Sequence, residues 1–238
     1  MVRSASKRCA LCLAHGDGIF CGMMGRPRED LEREVATHAV PRGQAVFHAG
    51  ALPHALYVIR SGRVKVFRLW PDGHQQMLRL LGPGEILGYR PLLAEEPYGA
   101  SAEAVEDTTV CAIPREMVLA ALTETPRLAR ELLAKLAREM RASEELMMDL
   151  IHRPVRERAA RLLLRLLEDN RGAPNPGTIP SRLLKRKDMA GMIGTTPETF
   201  SRVMRVLAHR GALSLAPKGV RVLDRALLRR IAGEHAAE

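Results

Sequence analysis

The most diagnostic stretch of this chain is residues 185–213, KRKDMAGMIGTTPETFSRVMRVLAHRGAL. Lys187–Met192 predicts a short helix, and the turn that follows falls at Ile193-Gly194-Thr195. Thr196-Pro197-Glu198 then supplies a helix N-cap, a residue suited to the first helical position and an acidic side chain that complements the helix dipole. Two helices joined by so short a turn predict a helix-turn-helix.

The second helix of this motif has two chemically distinct faces. Its apolar residues recur at helical spacing and are expected to pack inward: Phe200, Val203, Met204 and Leu207. On the opposite face, Arg202 can donate two hydrogen bonds to guanine, and Glu198 can accept one from a cytosine amino group. Both lie near the helix start, which is the part of a recognition helix that enters the major groove. The residues predicted to contact double-stranded DNA are Thr196, Glu198, Ser201, Arg202 and Arg205.

Two further features favour nucleic acid as the partner. Residues 214–223, with Pro217-Lys218-Gly219 at the tip, predict a β-hairpin wing that can touch phosphate. The net charge is +10, and all of the excess lies in residues 153–238, where 18 Lys and Arg face 8 Asp and Glu. One alternative stays open, an ion pair between Glu198 and Arg202 on a solvated helix face.

The middle of the chain predicts a β-structure. Between residues 45 and 114, short strands alternate with turn signals, which indicates an antiparallel barrel or sandwich. The clearest predicted strands are Ala55–Arg60, Arg63–Trp70 and Gln75–Leu81.

A long helix follows the predicted strands. Thr125-Pro126 has the form of a helix start, and Arg127–His152 carries apolar residues that repeat every seven positions. This pattern predicts a short coiled-coil seam in a homodimer, with a polar notch at Ser143; a helix packed on its own domain is the alternative. The predicted interface residues are Leu133, Leu136, Met140, Ser143, Met147 and Leu150. Val155–Glu168 predicts a second amphipathic helix, and residues 172–180 predict a loop.

The chain has four cysteines, of which Cys9, Cys12 and Cys21 are clustered and Cys111 stands alone. A Cys-x-x-Cys pair can turn two sulfurs toward one ion or cluster, and a third nearby thiol and a distant one can complete the ligand set. The alternative is that Cys111 is an ordinary core cysteine. No apolar run approaches the roughly 20 residues of a membrane span, and no secretory signal is evident. We therefore expect a cytoplasmic protein with reduced thiols and no membrane partner.

Several motifs of the chain resemble the CRP/FNR family of bacterial transcription regulators. They are Tyr57-Val58-Ile59-Arg60-Ser61-Gly62, Gly84-Glu85-Ile86-Leu87-Gly88, Val110-Cys111-Ala112-Ile113-Pro114 and Glu198-Thr199-Phe200-Ser201-Arg202. The resemblance covers nearly the whole chain. It implies an α+β protein with an N-terminal cyclic-nucleotide-binding-like antiparallel β-roll, a long dimerisation helix and a C-terminal winged helix-turn-helix. The corresponding boundaries are a cysteine segment at 1–25, the β-roll at 26–125, the helix at 126–152 and the DNA-binding domain at 153–238.

The resemblance also implies a ligand. Cyclic-nucleotide-binding members carry a Gly-Glu pair and an Arg-Ser pair, where this chain has Gly88-Tyr89 and Ala100-Ser101, so a phosphate would lack its charge partner. The FNR branch instead holds an oxygen-labile 4Fe–4S cluster, and Cys9, Cys12, Cys21 and Cys111 fall on its ligand positions. Members of this branch bind palindromic operators with TTGAT-like half-sites and act with RNA polymerase. The eight residues between Cys12 and Cys21 exceed the interval of better-known members, which leaves the cluster type open.

Three rival interpretations stay open at this point. The four thiolates could hold a structural zinc, or act as a thiol switch without metal. Haem-based gas sensing, with a cysteine or a histidine (His15 or His74) as the axial ligand, would leave at least three cysteines unused. An enzyme has little support, because no nucleophile, phosphate-loop or paired-carboxylate constellation stands out.

Overall fold

The computed structural model describes residues 35–73, 75–168, 177–181, 183–217 and 219–233. The chain divides into two compact units, residues 1–140 and 141–238, and the boundary falls within one long helix. The predicted cysteine segment at 1–25 lies outside the described residues. No helix in the described ranges is long and apolar enough to cross a membrane.

The first unit is built on short antiparallel strands that form two four-stranded sheets. The strands are β1 Ala36–Val40, β2 Ala45–Phe47, β3 Ala55–Ser61, β4 Val64–Leu69, β5 Gln75–Leu81, β6 Ile86–Leu87, β7 Ser101–Ala104 and β8 Thr108–Pro114. One sheet has the order β1-β8-β3-β6 and the other β2-β7-β4-β5. The predicted antiparallel β-roll is confirmed, and the three clearest predicted strands end within one residue of β3, β4 and β5.

The turn between β3 and β4 shows why glycine stands where the sequence predicts a strand to end. Gly62 has φ +81°, and a Cβ there would lie 2.6 Å from the Asp107 carbonyl oxygen and 2.7 Å from Thr108 Cα. Thr108 is buried, and its Oγ1 accepts a hydrogen bond from the Arg63 N–H at 3.2 Å. The backbones of two turns therefore pack directly against each other, and only glycine fits.

Three helices follow strands of this unit: α1 Tyr89–Ala94, α2 Arg115–Glu124 and α3 Pro126–His152. An apolar cluster joins the sheet that contains β3 and β8 to α2 and to the first turns of α3, through Leu128 and Leu132. A second cluster lies between the two sheets and includes Ile59, Val64 and Val110. The predicted long helix is confirmed, and it begins at Pro126, directly after Thr125.

The second unit contains the predicted winged helix-turn-helix. Its elements are α4 Val155–Glu168, β9 Thr178–Pro180, α5 Arg186–Met192, α6 Pro197–His209, β10 Leu213–Ala216, β11 Gly219–Val222 and α7 Arg225–Ile231. The strands form an antiparallel sheet in the order β10-β11-β9.

One sequence prediction in this unit is wrong. The end of the predicted loop at 172–180 is the strand β9, which pairs with β11. Ile179 is buried opposite Val220, and burying a β-branched pair of this kind favours a strand over a loop.

Candidate DNA-binding surface and sensor site

The start of α6 is held by a side-chain cap. Thr196 has an extended backbone, and its Oγ1 accepts a hydrogen bond from the Thr199 N–H at 3.2 Å. Pro197 is the first residue of α6, and Glu198 lies in its first turn. The predicted N-cap is confirmed. The start of α6 is exposed, and the backbone N–H groups of a helix start can donate hydrogen bonds to anions.

The two faces of α6 separate as the spacing of its residues predicts. Phe200, Met204 and Leu207 are at most 2% exposed and anchor the helix in its unit. Glu198, Arg202 and Arg205 are exposed, whereas Ser201 is half-buried. Within the described residues, no ion pair joins Glu198 to Arg202, so both side chains are free to face a ligand.

Cys111 lies in the core of the first unit. It is on β8, opposite Val58 of β3 and Thr37 of β1, and is 8% exposed. Its Sγ is 3.8 Å from Thr37 Oγ1. Val35, the first residue described, packs on the same apolar cluster as Cys111. The chain therefore enters the β-roll beside Cys111, whereas Cys9, Cys12 and Cys21 lie outside the described residues, as do His15 and His74.

Gly88-Tyr89 and Ala100-Ser101 stand where the cyclic-nucleotide branch has its ligand-binding Gly-Glu and Arg-Ser pairs. Here the side chains of Tyr89 and Ser101 form hydrogen bonds within the protein. The Tyr89 hydroxyl donates to Glu139 of α3, and Ser101 Oγ accepts from the Ala49 N–H at 3.0 Å. An arginine does reach this region, but Arg68 Nε donates at 2.7 Å to the carbonyl of Gly99. Neither position offers a free carboxylate or guanidinium to a sugar or a phosphate.

A polar cluster centred on Glu139 was not anticipated from the sequence. Its carboxylate accepts from Arg79 Nη2 at 2.9 Å, from Arg90 Nη2 at 2.5 Å and from the Tyr89 hydroxyl, and Lys135 Nζ lies 3.0 Å away. The Glu139 side chain is only 10% exposed. We call these five residues the Glu139 cluster; it ties α3 to β5 and α1.

The electrostatics of the Glu139 cluster favour the charged carboxylate. Burial alone would raise the pKa of Glu139, but hydrogen bonds from Arg79, Tyr89 and Lys135 outweigh it and hold the pKa well below 4.5. Burial and the bond to Glu139 raise the pKa of Tyr89 to about 12. The signal in the sequence was weak, because an isolated Glu in a helix rich in Glu and Arg resembles a solvated residue.

Apolar side chains of α3 remain exposed in the single chain. Leu133 and Met140 are each 64% exposed, and Met147 is 55% exposed. The six predicted interface residues form two rows along the helix, each with a spacing of seven positions, and these three residues are one of those rows. The other row differs, since Leu136 is partly buried on its own domain, Ser143 is exposed and Leu150 is 40% exposed. An exposed apolar row of this kind is typical of a protein interface.

Comparisons with known proteins agree with this architecture. A model of the cyclic nucleotide-binding domain matches residues 37–125, and a model of the Crp-like helix-turn-helix domain matches residues 157–231. The chain is 40% identical over 193 residues to the cyclic AMP receptor protein of Thermus thermophilus, covering 81% of this chain and 86% of that protein. It is 29% identical over 192 residues to the transcriptional activator protein Anr of Pseudomonas aeruginosa, covering 81% and 78%.

A solved structure is similar over most of its length. The structure of FixK2 from Bradyrhizobium japonicum superposes with a TM-score of 0.73 at 25% identity, covering 86% of this chain and 99% of that one. The similarity therefore extends through both units rather than being confined to one domain.

Proposed function

Because the chain belongs to the CRP/FNR family of DNA-binding transcriptional regulators, we propose that it senses oxygen or redox state through a 4Fe–4S cluster that controls its dimerisation on DNA. The family acts by binding DNA, so the chain is a regulator and not an enzyme. The proposed ligands are Cys9, Cys12, Cys21 and Cys111. RNA polymerase remains the expected protein partner.

The observation that carries the proposal is the position of Cys111. Strand β1 begins at Ala36, directly after Val35, and its Thr37 pairs with Cys111, so the described chain begins next to this thiol. Cys21 precedes Val35 by 14 residues, and an extended chain of that length spans at most about 50 Å. The three N-terminal thiols can therefore be brought to Cys111, and four thiolates are the ligand set of a 4Fe–4S cluster.

The surroundings of Cys111 also indicate how binding of an iron–sulfur cluster to this thiol would affect the dimerisation helix α3. A bound cluster supplies a redox-active group that oxidants attack. The Cys111 thiol packs in the same apolar cluster as Leu128 and Leu132 of α3, so the way the thiol is held affects the first turns of that helix. Farther along, α3 exposes Leu133 and Met140, which we propose lie in the homodimer seam.

For DNA recognition, we propose that α6 binds in the major groove of a palindromic operator with TTGAT-like half-sites. A twofold dimer places two recognition helices about one DNA turn apart, which requires such a palindrome. Arg202 and Glu198 are both exposed near the start of α6, where base edges are read. Thr196, Ser201 and Arg205 are proposed to complete the contact surface.

Cyclic nucleotide binding is the second candidate function. The identity with the cyclic AMP receptor protein of Thermus thermophilus favours it. Against it, the Tyr89 hydroxyl is engaged with Glu139, and the Ser101 hydroxyl accepts from a backbone N–H. A bound phosphate would thus lack the charge-assisted hydrogen bonds that normally hold it.

The test is anaerobic purification of the full chain, with iron, sulfide and zinc assays and an absorption spectrum. Affinity for a duplex that the anaerobic protein selects from a random-sequence library is then measured before and after exposure to air. The Cys111→Ser variant removes one proposed ligand, and Ala112→Ser on the same strand is the matched control. We expect iron and sulfide in the wild type and in the control only, and an affinity loss of about tenfold or more in air.

Each alternative has its own signature in this experiment. Zinc without iron would favour a structural metal site, and a Soret band would favour haem. Tight binding of cyclic AMP, measured by calorimetry, would favour the second candidate. A metal-free chain that binds the selected duplex equally well with and without air would overturn the sensing proposal.

A further inference from the structure

The end of the long helix α3 lies directly against the turn of the helix-turn-helix. A Cβ placed on Gly194 would lie 2.7 Å from Leu150 Cδ2 and 3.9 Å from Leu150 Cγ. Real Cβ atoms do not approach carbon so closely, so a side chain at Gly194 would displace the end of the Leu150 side chain from this position. Gly194 also has φ +61°, a conformation that the turn requires and glycine adopts freely.

A second side chain holds the same turn from α4. Arg158 Nη1 donates a hydrogen bond of 2.6 Å to the carbonyl of Ile193, the residue that ends α5. The same nitrogen lies 3.5 Å from the Cβ position of Gly194. Arg158 Nε is buried and has no hydrogen-bond partner among the described residues, so the guanidinium gives up one hydrogen bond while it reaches the turn carbonyl.

The turn held in this way determines where α6 begins. Gly194 precedes the N-cap Thr196 by two residues, and the exposed Glu198 and Arg202 follow in the first turns of α6. A shift of the turn therefore moves the side chains that face DNA. Base-edge hydrogen bonds need distances of about 2.7–3.2 Å, so small displacements weaken them.

We propose that Leu150 and Gly194 form a direct contact through which the last turn of α3 positions the recognition helix. Leu150 and Arg158 are then positioning residues for DNA reading, although neither reaches DNA. This inference rests on the DNA-binding role of α6 and adds the element that sets its position. It also gives Leu150 a role outside the dimer seam, whereas the seven-residue spacing in the sequence predicts that Leu150 lies in that seam.

The test compares two glycines with similar backbones and different surroundings. Gly194→Ala incurs both the positive φ and the contact with Leu150. At Gly211, φ is +77° and no atom of the described residues lies within 4 Å of an added Cβ. The readout is the ratio of the affinity for the selected duplex to the affinity for random duplex, measured by fluorescence anisotropy. We expect this ratio to fall about fivefold or more for Gly194→Ala and to change little for Gly211→Ala.

A double-mutant cycle isolates the contact itself. In a Leu150→Ala background the methyl group that Gly194→Ala adds has room, so this substitution should cost no more than Gly211→Ala costs in the wild type. Leu150→Ala alone keeps the backbone unchanged and should also lower the ratio, whereas Ile151→Ala, at a neighbouring exposed residue, should not. Sedimentation at the assay concentration checks that every variant is as dimeric as the wild type.

The outcomes separate this inference from the proposed function. If the wild type selects no duplex, the proposed DNA recognition fails and so does the inference. If the wild type binds its duplex but Leu150→Ala keeps the wild-type ratio, the contact does not position α6. An equal loss for Gly194→Ala with and without Leu150 would also overturn the inference, because backbone strain alone would explain it.

Discussion

Replacing Glu139 by Gln tests whether the Glu139 cluster ties α3 to the β-roll. The substitution keeps the shape of the side chain but removes its charge. Three cations then face a neutral amide that cannot replace the carboxylate: Arg79, Arg90 and Lys135. The Tyr89 hydroxyl also loses its charged acceptor.

The size of the effect follows from burial. Removing one partner of a buried ion pair costs about 3–5 kcal/mol, and Glu139 is 10% exposed. Arg90 is 51% exposed and Arg79 36%, so water compensates for part of the loss and we expect about 3 kcal/mol. For a unit of this size that corresponds to a fall in melting temperature of roughly 10 °C.

The pH dependence gives an independent check. The pKa of Glu139 is lower in the folded protein than its ordinary value of 4.5, so its stabilising effect is present above that value and is lost as the pH falls below it. The difference in melting temperature between the wild type and Glu139→Gln should therefore be full at pH 7 and should narrow in acid.

The matched control is Glu131→Gln on the same helix. Glu131 pairs with Arg127 at 3.2 Å, but the side chains are 36% and 73% exposed, far more than Glu139, so we expect less than about 1 kcal/mol. Thermal unfolding followed by circular dichroism measures both variants. A melting temperature of Glu139→Gln within about 2 °C of the Glu131→Gln value, or a constant difference down to about pH 3, would refute the reasoning.

Three further predictions concern other elements. Met140→Glu places a charge in the exposed apolar row of α3 and should weaken dimerisation at least tenfold by analytical ultracentrifugation, whereas Ala142→Glu on the opposite, exposed face should not. Arg202→Ala should cost about 1–3 kcal/mol in binding the selected duplex and relax preference at one base pair, which a library of single-base changes would reveal. Gly62→Ala should lower the free energy of unfolding by about 2 kcal/mol or more in urea, against about 1 kcal/mol for Gly73→Ala, whose added Cβ meets no neighbour in the described part of the chain. Equal values for the two glycines would contradict the close approach of Gly62 to the Asp107 carbonyl.

Much of the fold could be predicted because its boundaries are marked by local chemistry. Ser61-Gly62 ends β3, and Thr196-Pro197 begins α6, because a positive φ and an N-cap are properties of one or two residues. The strand β9 was missed for the opposite reason. Its pairing with β11 depends on a partner some 40 residues away, which no local pattern reveals.

The candidate sites divide in a similar way. The inward and outward faces of α6 follow from its own period, and the structure places Phe200 and Arg202 accordingly. The Glu139 cluster could not be inferred, since Arg79, Tyr89 and Glu139 come from three elements whose approach depends on the tertiary structure. The seven-residue repeat of α3 was informative about spacing but not about which row would remain exposed.

The structure gives the two rows of α3 different roles. Leu133, Met140 and Met147 stay exposed and are available to a second chain, whereas Leu136 packs on its own β-roll and Leu150 rests on Gly194. If the dimer seam consists only of Leu133, Met140 and Met147, the other row is left to pack α3 within its own chain. Leu136 then contacts the β-roll, and Leu150 contacts Gly194. A ligand that alters how the β-roll contacts the first turns of α3 would then change dimerisation without entering the seam, because Leu128 and Leu132 contact the β-roll on the same turns of helix that expose Leu133. Mutations in the first row should therefore alter dimer affinity, and those at Leu136 or Leu150 should alter stability or DNA specificity at equal dimer content.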